Sequence, residues 1–249
     1  VTNSESWPTP TETTVPDQTR PRADSDPATC ALSVAPDTMR SMSARARFCA
    51  PAGQIQFLVT DLETTGVDLS RDRIVEIAAV ALTADLEQVF TFRSLVRLNA
   101  YGRRRIEADE FVHAMHRGSG LLDDLAQPGL PTLRAVERDL VDLLDAHDAP
   151  TGGVTLAGSG VGRLDLPMIR VQMPALAARL YHSPLDIGAA RRHYLVSTGS
   201  MLTDVNESKS HRAMDDVGCH IEEIRRFRDL YLDHAQRRTD GGADAPATA

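Results

Sequence analysis

Aromatic residues are scarce in this chain: Phe, Trp and Tyr together make 4% of it, and there is a single Trp. Long apolar runs are absent. The longest stretches, such as Ile77 to Leu82, fall well short of the roughly 20 residues that cross a bilayer, which excludes a helical membrane span. No basic patch followed by an apolar block opens the chain, so a secretory leader is not expected and a cytoplasmic location is. The 3 cysteines, Cys30, Cys49 and Cys219, stand far apart in no CxxC or Cys/His spacing. That excludes a disulfide scaffold and a structural zinc site, and leaves them as idle thiols. Basic residues number 27 against 35 acidic ones, so no broad positive field exists to hold long duplex nucleic acid, and a polyanionic substrate must be gripped locally. Lysine is almost missing, Lys209 being its one occurrence; arginine dominance of this kind reflects coding bias and carries no mechanism.

What is present is apolar material for one sizeable core, 42% of 249 residues. Residues 1–52 mix Pro, Thr, Ser, Asp and Arg with almost no apolar periodicity and are expected to be a disordered tail, because they cannot bury enough surface to offset ordering. Met39 and Met42 lie shortly before the first core-like run, so a start codon placed too far upstream is an expectation that intact-mass analysis tests. Residues 237–249 read as a second loose tail. The domain is therefore expected over 53–236.

Inside it, Ile55 to Thr60 is a short run of strand formers ending on the acidic, turn-prone Asp61-Leu62-Glu63-Thr64-Thr65-Gly66. Arg73 to Thr83 and Leu86 to Leu98 read as two further strands joined by a turn near Ala84-Asp85. Leu133, Val136, Leu140, Leu144 and His147 recur at helical spacing after Pro131. Val154 to Gly158 is another buried strand, Leu164 to Leu180 has a helical pattern despite Pro167 and Pro174, and a short strand is expected at Leu185 to Ile187. From His211 onward, Ala213, Val217, Ile221, Ile224, Phe227 and Tyr231 mark one face of a long closing helix. Strands first, then alternation with helices, imply an α/β fold with a mixed sheet.

Asp61 and Glu63 end a predicted strand two residues apart, and strand geometry sends both to one side of the sheet. Two such carboxylates repel unless one is protonated or a divalent cation binds. An Asp-x-Glu is expected about once by chance in this composition, and a second instance, Asp85-Leu86-Glu87, is read as a turn. Company sets the first pair apart. Asp165 follows a buried strand within Gly162-Arg163-Leu164-Asp165-Leu166-Pro167, and His211-Arg212-Ala213-Met214-Asp215-Asp216 opens the last helix. A His-x-Ala-x-x-Asp string has a chance expectation of about 0.1 here. Each acid sits at a strand end or helix start, where segments of an α/β sheet converge on one site.

These three stretches, in this order, resemble the motifs of the DEDD exonucleases, in the branch with a histidine in the third motif. Met115-His116-Arg117-Gly118-Ser119-Gly120-Leu121, the Met173-Pro174 helix and the closing helix are similar to segments of oligoribonuclease, and the likeness runs over about 55–230. The resemblance implies a ribonuclease H-like fold with a central mixed five-stranded sheet flanked by helices. It implies a 3′-to-5′ exonuclease that releases nucleoside 5′-monophosphates, most readily from short RNA oligomers, with two Mg²⁺ or Mn²⁺ ions per site. Asp61, Glu63, Asp165 and Asp216 would be the metal ligands and His211 the general base. Phosphodiester cleavage suits such a set, since paired divalent ions stabilise attacking and leaving oxygens together and prefer oxygen donors. Asp215 is expected to favour the helix dipole instead of binding metal.

Thr64, Val67, His116 and Ser119 are the substrate contacts the resemblance implies. Val67 would wedge against a base and His116 stack on one, or His116 is a satisfied helix-end histidine; Ser119 reaches a phosphate or caps its turn. Arg103-Arg104-Arg105 could attract phosphates, the commoner outcome being an exposed, solvated loop, and Arg191-Arg192 on a predicted helix carries the same two readings. Where oligoribonuclease has an arginine and a serine that cap a far phosphate, this chain reads Ser183-Pro184-Leu185-Asp186-Ile187-Gly188. The first two motifs are also similar to those of proofreading exonucleases. Two other readings follow: a DNA 3′ exonuclease, and a catalytically silent domain that binds a partner or a nucleic-acid end. Short single-stranded RNA or DNA ends are the expected partners, and a homodimer is implied by the resemblance.

Overall fold

The computed structural model describes residues 50–202 and 210–241, with side chains to residue 238. Residues 1–49 of the tail expected at 1–52, the two methionines within it, Cys30, Cys49, Lys209 and residues 242–249 lie outside the described residues. Cys219 is exposed and free.

The strands are β1 (Ile55–Thr64), β2 (Ile74–Thr83), β3 (Gln88–Leu95), β4 (Thr155–Gly158) and β5 (Leu185–Asp186). They form one sheet in the order β3-β2-β1-β4-β5. The first three make the expected antiparallel meander, and β4 and β5 add in parallel beside β1. The expected mixed sheet of five strands is therefore present. β3 is shorter than expected because Leu86 takes up the turn with φ 63°, and pairing resumes only at Gln88.

The helices are α1 (Ala100–Ala108), α2 (Glu110–Gly118), α3 (Leu121–Leu125), α4 (Leu133–Ala146), α5 (Asp165–Gln172), α6 (Pro174–Ala177), α7 (Ile187–Thr198) and α8 (Ala213–Gly241). The single helix expected over 164–180 is broken at Met173, because Pro174 restricts the residue before it and opens a new turn. α8 continues to Gly241, past the expected boundary at 236. Its apolar face is shorter than the helix: burial ends at Phe227, and Tyr231 is 61% exposed.

β1 and β2 are buried on both sides because each face has its own layer. Leu58, Leu62 and Ile77 pack with Val136, Leu140 and Leu144 of α4 and with Met168 and Ile169 of α5. Val59, Ala78 and Val80 pack with Ala213, Val217, Ile221 and Ile224 of α8. A third cluster, built from Val75, Leu98, Ile106, Val112, Leu121 and Leu125, seats α1, α2 and α3 beside the meander. Asn99 and Asp109 cap α1 and α2 by accepting from first-turn amides, which is why this polar stretch is helical.

Candidate active site

β1 carries its two acids to the edge of the sheet because pairing with β2 persists beyond Thr60, with Asp61 opposite Ala78 and Glu63 opposite Glu76. Alternation puts Asp61 and Glu63 on the Val59 side, the side that α8 covers. Glu63 is buried and Asp61 half-buried. The first turn of α8 turns Ala213, Asp216 and Val217 inward, while Asp215 is exposed at the helix start, as expected for a dipole-facing acid. One carboxylate oxygen each from Glu63 and Asp216 and one ring nitrogen of His211 lie within 4.8 Å of one another.

Asp165 arrives by a different route. β4 pairs parallel to β1, with Val59 opposite Ala157, so both strands end at the same edge. The chain then turns through Gly158, whose φ is 152° and where a Cβ would lie 2.7 Å from the Thr60 carbonyl oxygen. Only glycine passes there. Asp186 steadies the loop that follows, accepting from the Gly160 amide at 3.0 Å while capping α7 through the Ala189 amide at 3.2 Å. Asp165 then opens α5, buried, and α5 packs on β1. The structure thus gathers Glu63, His211 and Asp216 into one donor cluster; Asp61 lies two residues before Glu63 on β1, and Asp165 opens α5 after the loop that follows β4.

The expected substrate residues divide. Val67 is 68% exposed on the loop after β1. Thr64 is buried and its hydroxyl donates to the Gly66 carbonyl at 2.6 Å. The Ser119 hydroxyl donates to the His116 carbonyl at 3.2 Å. His116, expected either to stack on a base or to be a satisfied helix-end histidine, has no exposed surface. Its Nε2 lies 2.8 Å from the Thr64 carbonyl oxygen, and a carbonyl only accepts, so Nε2 carries the proton. Nδ1 then turns its lone pair toward Glu63, 3.8 Å from Oε2, with no hydrogen-bond partner. Burial pushes the His116 pKa below the usual imidazole value; the Thr64 carbonyl opposes the shift, and the nearby His211 adds to it. His116 is a neutral brace under the end of β1.

The arginine runs are also more engaged than expected. Arg103 to Arg105 lie on α1, and Arg105 pairs with the buried Asp72. Arg191 bridges α7 to Glu223 of α8 at 2.8 Å and donates to the Ser159 hydroxyl at 3.2 Å. Two further residues went unread in the sequence. Glu76, with no exposed surface, takes two arginines, Arg93 at 2.9 Å and Arg212 at 3.3 Å. A lone acid in the run Ile74-Val75-Glu76-Ile77-Ala78 is a signal in itself, since a charge is buried only when paired. Burial works against the Arg212 charge, yet hydrogen bonds to Glu76 and Asp124 outweigh it and hold that guanidinium pKa above its usual value.

This arrangement has counterparts. A family model described as Exonuclease matches residues 58–102, the stretch that holds Asp61, Glu63 and Glu76. The oligoribonuclease of Corynebacterium diphtheriae is 31% identical over 192 residues, spanning 76% of this chain and 89% of that protein. The chain belongs to the oligoribonuclease family of DEDD exonucleases. The oligoribonuclease of Corynebacterium glutamicum is 32% identical over 172 residues, 68% of this chain and 76% of its own length. Among solved structures, E. coli exonuclease I in complex with a dT13 oligonucleotide superposes with a TM-score of 0.51 at 17% identity. That match covers 73% of this chain and 43% of exonuclease I. It establishes the ribonuclease H-like exonuclease fold for this oligoribonuclease relative, whose described residues contain no helix long and apolar enough to cross a membrane.

Proposed function

We propose that this protein is a divalent-metal-dependent 3′-to-5′ exonuclease that releases nucleoside 5′-monophosphates from short single-stranded RNA. The observation that carries the reading is the approach of Glu63, His211 and Asp216 donor atoms to within 4.8 Å of one another. Four carboxylates make the hard, oxygen-rich donor set that Mg²⁺ or Mn²⁺ prefers, and the Glu63 and Asp216 oxygens, within 4.8 Å of each other, are close to the separation of about 4.2 Å between donors on opposite sides of one magnesium ion. Bound there, a pair of such ions would neutralise the charge that builds on the phosphoryl group.

The chain's own part follows from where its groups stand. His211 is half-buried in the cluster and takes the proton of the attacking water as general base, a role a ring nitrogen with a free lone pair can fill. Asp61, Glu63, Asp165 and Asp216 hold the ions, and Val67 meets a base of the substrate. A formal net charge of −8 disfavours long polyanions and favours oligomers held by a pocket alone. Asp186, in the segment where oligoribonuclease would place its phosphate-capping residues, is committed to loop amides, which supports a looser limit on substrate length than a strict dinucleotide preference. The active form is a homodimer in this reading, by likeness to the family.

The test is a panel of 5′-labelled RNA and DNA oligomers of two to about ten nucleotides, with Mg²⁺, Mn²⁺ and chelator. Shortening of RNA from the 3′ end, dependent on metal and fastest on the shortest members, is the expected result. Faster loss of DNA would transfer the protein to the proofreading type of exonuclease. No metal uptake in calorimetry, with no cleavage, would leave a silent binding domain.

A further inference from the structure

We propose that Glu76 and Arg212 are a positioning pair that sets the third motif, and with it His211 and Asp216, against the acids of β1. The proposal deepens the exonuclease reading and rests on it for the meaning of those two residues.

Arg212 is the joint between them. On its N-terminal side, His211 has φ 50°, a left-handed turn of the backbone. On its C-terminal side, the Arg212 carbonyl accepts from the amides of Asp215 at 3.0 Å and Asp216 at 3.1 Å, starting α8. Rotation of this one residue would therefore move the His211 ring and the Asp216 carboxylate together. Its side chain prevents that rotation. The guanidinium donates to Glu76 through Nε and Nη2 at 3.3 Å each, to Asp124 on α3 at 2.6 Å, and to the Ser119 carbonyl at 3.4 Å. Three separate elements hold it, and a fork of fixed geometry suits that task better than a point charge.

Glu76 completes the joint from the sheet side. Its Oε2 accepts from the Ala213 amide at 3.4 Å, so it serves α8 as a cap supplied from a strand, with its charge at the favourable end of the helix. It also stands directly opposite Glu63 in the ladder. Like charges facing one another across a strand pair are destabilising. Arg93 and Arg212 neutralise Glu76 on its own side, which removes the like-charge repulsion that Glu76 would otherwise exert on Glu63. A guanidinium with these four bonds is not available to a substrate phosphate, which separates positioning from binding in kinetic terms.

The experiment compares Glu76→Gln, Arg212→Gln, Arg212→Lys and Asp124→Asn in the full chain. The readouts are Mn²⁺ affinity by calorimetry, hydrogen exchange of the 213–216 amides without metal, and kcat and KM on a short RNA. Both Gln variants are expected to lose about 10- to 100-fold in metal affinity and in kcat, the range for residues supporting metal ligands, while KM changes less than about threefold. Their 213–216 amides lose protection while the β1 and β2 amides keep theirs. Arg212→Lys restores part of the loss and Asp124→Asn produces a smaller one. Metal affinity, exchange and kcat all within about twofold of the unaltered chain would overturn the proposal, as would a rise in KM at unchanged kcat, which signals a guanidinium on the substrate. Should Arg212→Gln fail to fold, the Lys and Asn variants carry the same comparison. If the unaltered protein cleaves nothing, the exonuclease reading fails, and metal affinity with amide exchange still decides the pair.

Discussion

Arg105 reaches from α1 onto the carboxyl of Asp72, with Nε 2.9 Å from Oδ1 and Nη2 3.2 Å from Oδ2. The same buried carboxyl accepts from the Thr65 hydroxyl and the Asp68 amide, both at 2.9 Å. Gly66 lies so near that a Cβ there would stand 2.4 Å from Oδ2. Asp72 is thus the hub around which the loop after the first motif closes, and that loop displays Val67 to solvent.

The hub has a pH signature. Burial raises the Asp72 pKa, but the hydrogen bonds from Arg105, Asp68 and Thr65 outweigh it and hold the carboxyl below its ordinary value of 3.8. A depressed acid stabilises the fold above the unfolded-chain value and ceases to as pH falls through the folded value. Asp72→Asn should lower the melting temperature at pH 7, consistent with a loss of about 2 kcal/mol. The gap between variant and unaltered chain should shrink steadily below about pH 4. Thermal melts from pH 7 down to the acid limit test it, and a gap independent of pH would remove Asp72 from this role.

Val67 predicts the opposite profile. With 68% of its surface exposed, Val67→Ala should leave the melting temperature within about 1 °C, as surface changes do. It should raise KM on a short RNA about fivefold, the loss of a partly buried aliphatic contact. Steady-state kinetics on the same preparation measure both constants, and an unchanged KM would take the wedge role away from this residue.

Asp216 and Glu63 bring two carboxylates into one cluster with His211, and like charges at close range repel. Asp216→Asn should therefore melt higher than the unaltered chain in chelator. With Mn²⁺ the order should reverse, because only a protein that binds the ion gains stability from it. Activity of the variant should fall by at least about a hundredfold. Differential scanning calorimetry with and without metal decides the order of the melts.

His116 provides the second pH effect, in the same direction by a different route. Burial lowers its pKa, so the unfolded chain takes up a proton near pH 6.5 that the fold refuses. Stability therefore declines as pH drops below about 6.5, down to the folded value. His116→Gln keeps a donor for the Thr64 carbonyl and removes the titration. Its melting temperature should fall less between pH 7 and 5 than that of the unaltered chain, and equal slopes would contradict the assignment.

The meander, α4 and α8 were legible because their apolar residues recur with the strand or helix period over long stretches, as Leu140 and Leu144 do, and the first and third motifs pointed to the segments that carry Glu63, His211 and Asp216. α1 to α3 were not, since they depend on Asn99 and Asp109 caps and a satellite cluster with little period of its own. The break at Met173 was masked by residues apolar on both sides of it. The supports of the site, Glu76, Asp72 and Asp186, left weak traces for one reason: each contacts residues far away in sequence, such as Arg212, Arg105 and Gly160. A local pattern records which face is buried. It does not record which distant cation a buried acid will meet.

The left-handed backbone of His211 also bears on how a silenced form of this protein should be made. Asparagine tolerates that conformation at least as well as histidine does, whereas alanine meets it at a cost of about 1 kcal/mol and a β-branched residue at more. An asparagine at this position would strip away the ring without disturbing the path of the chain. Such a version suits crystallographic capture of an uncleaved oligomer, since a lost turnover could then be traced to the missing imidazole and not to a helix that has slipped.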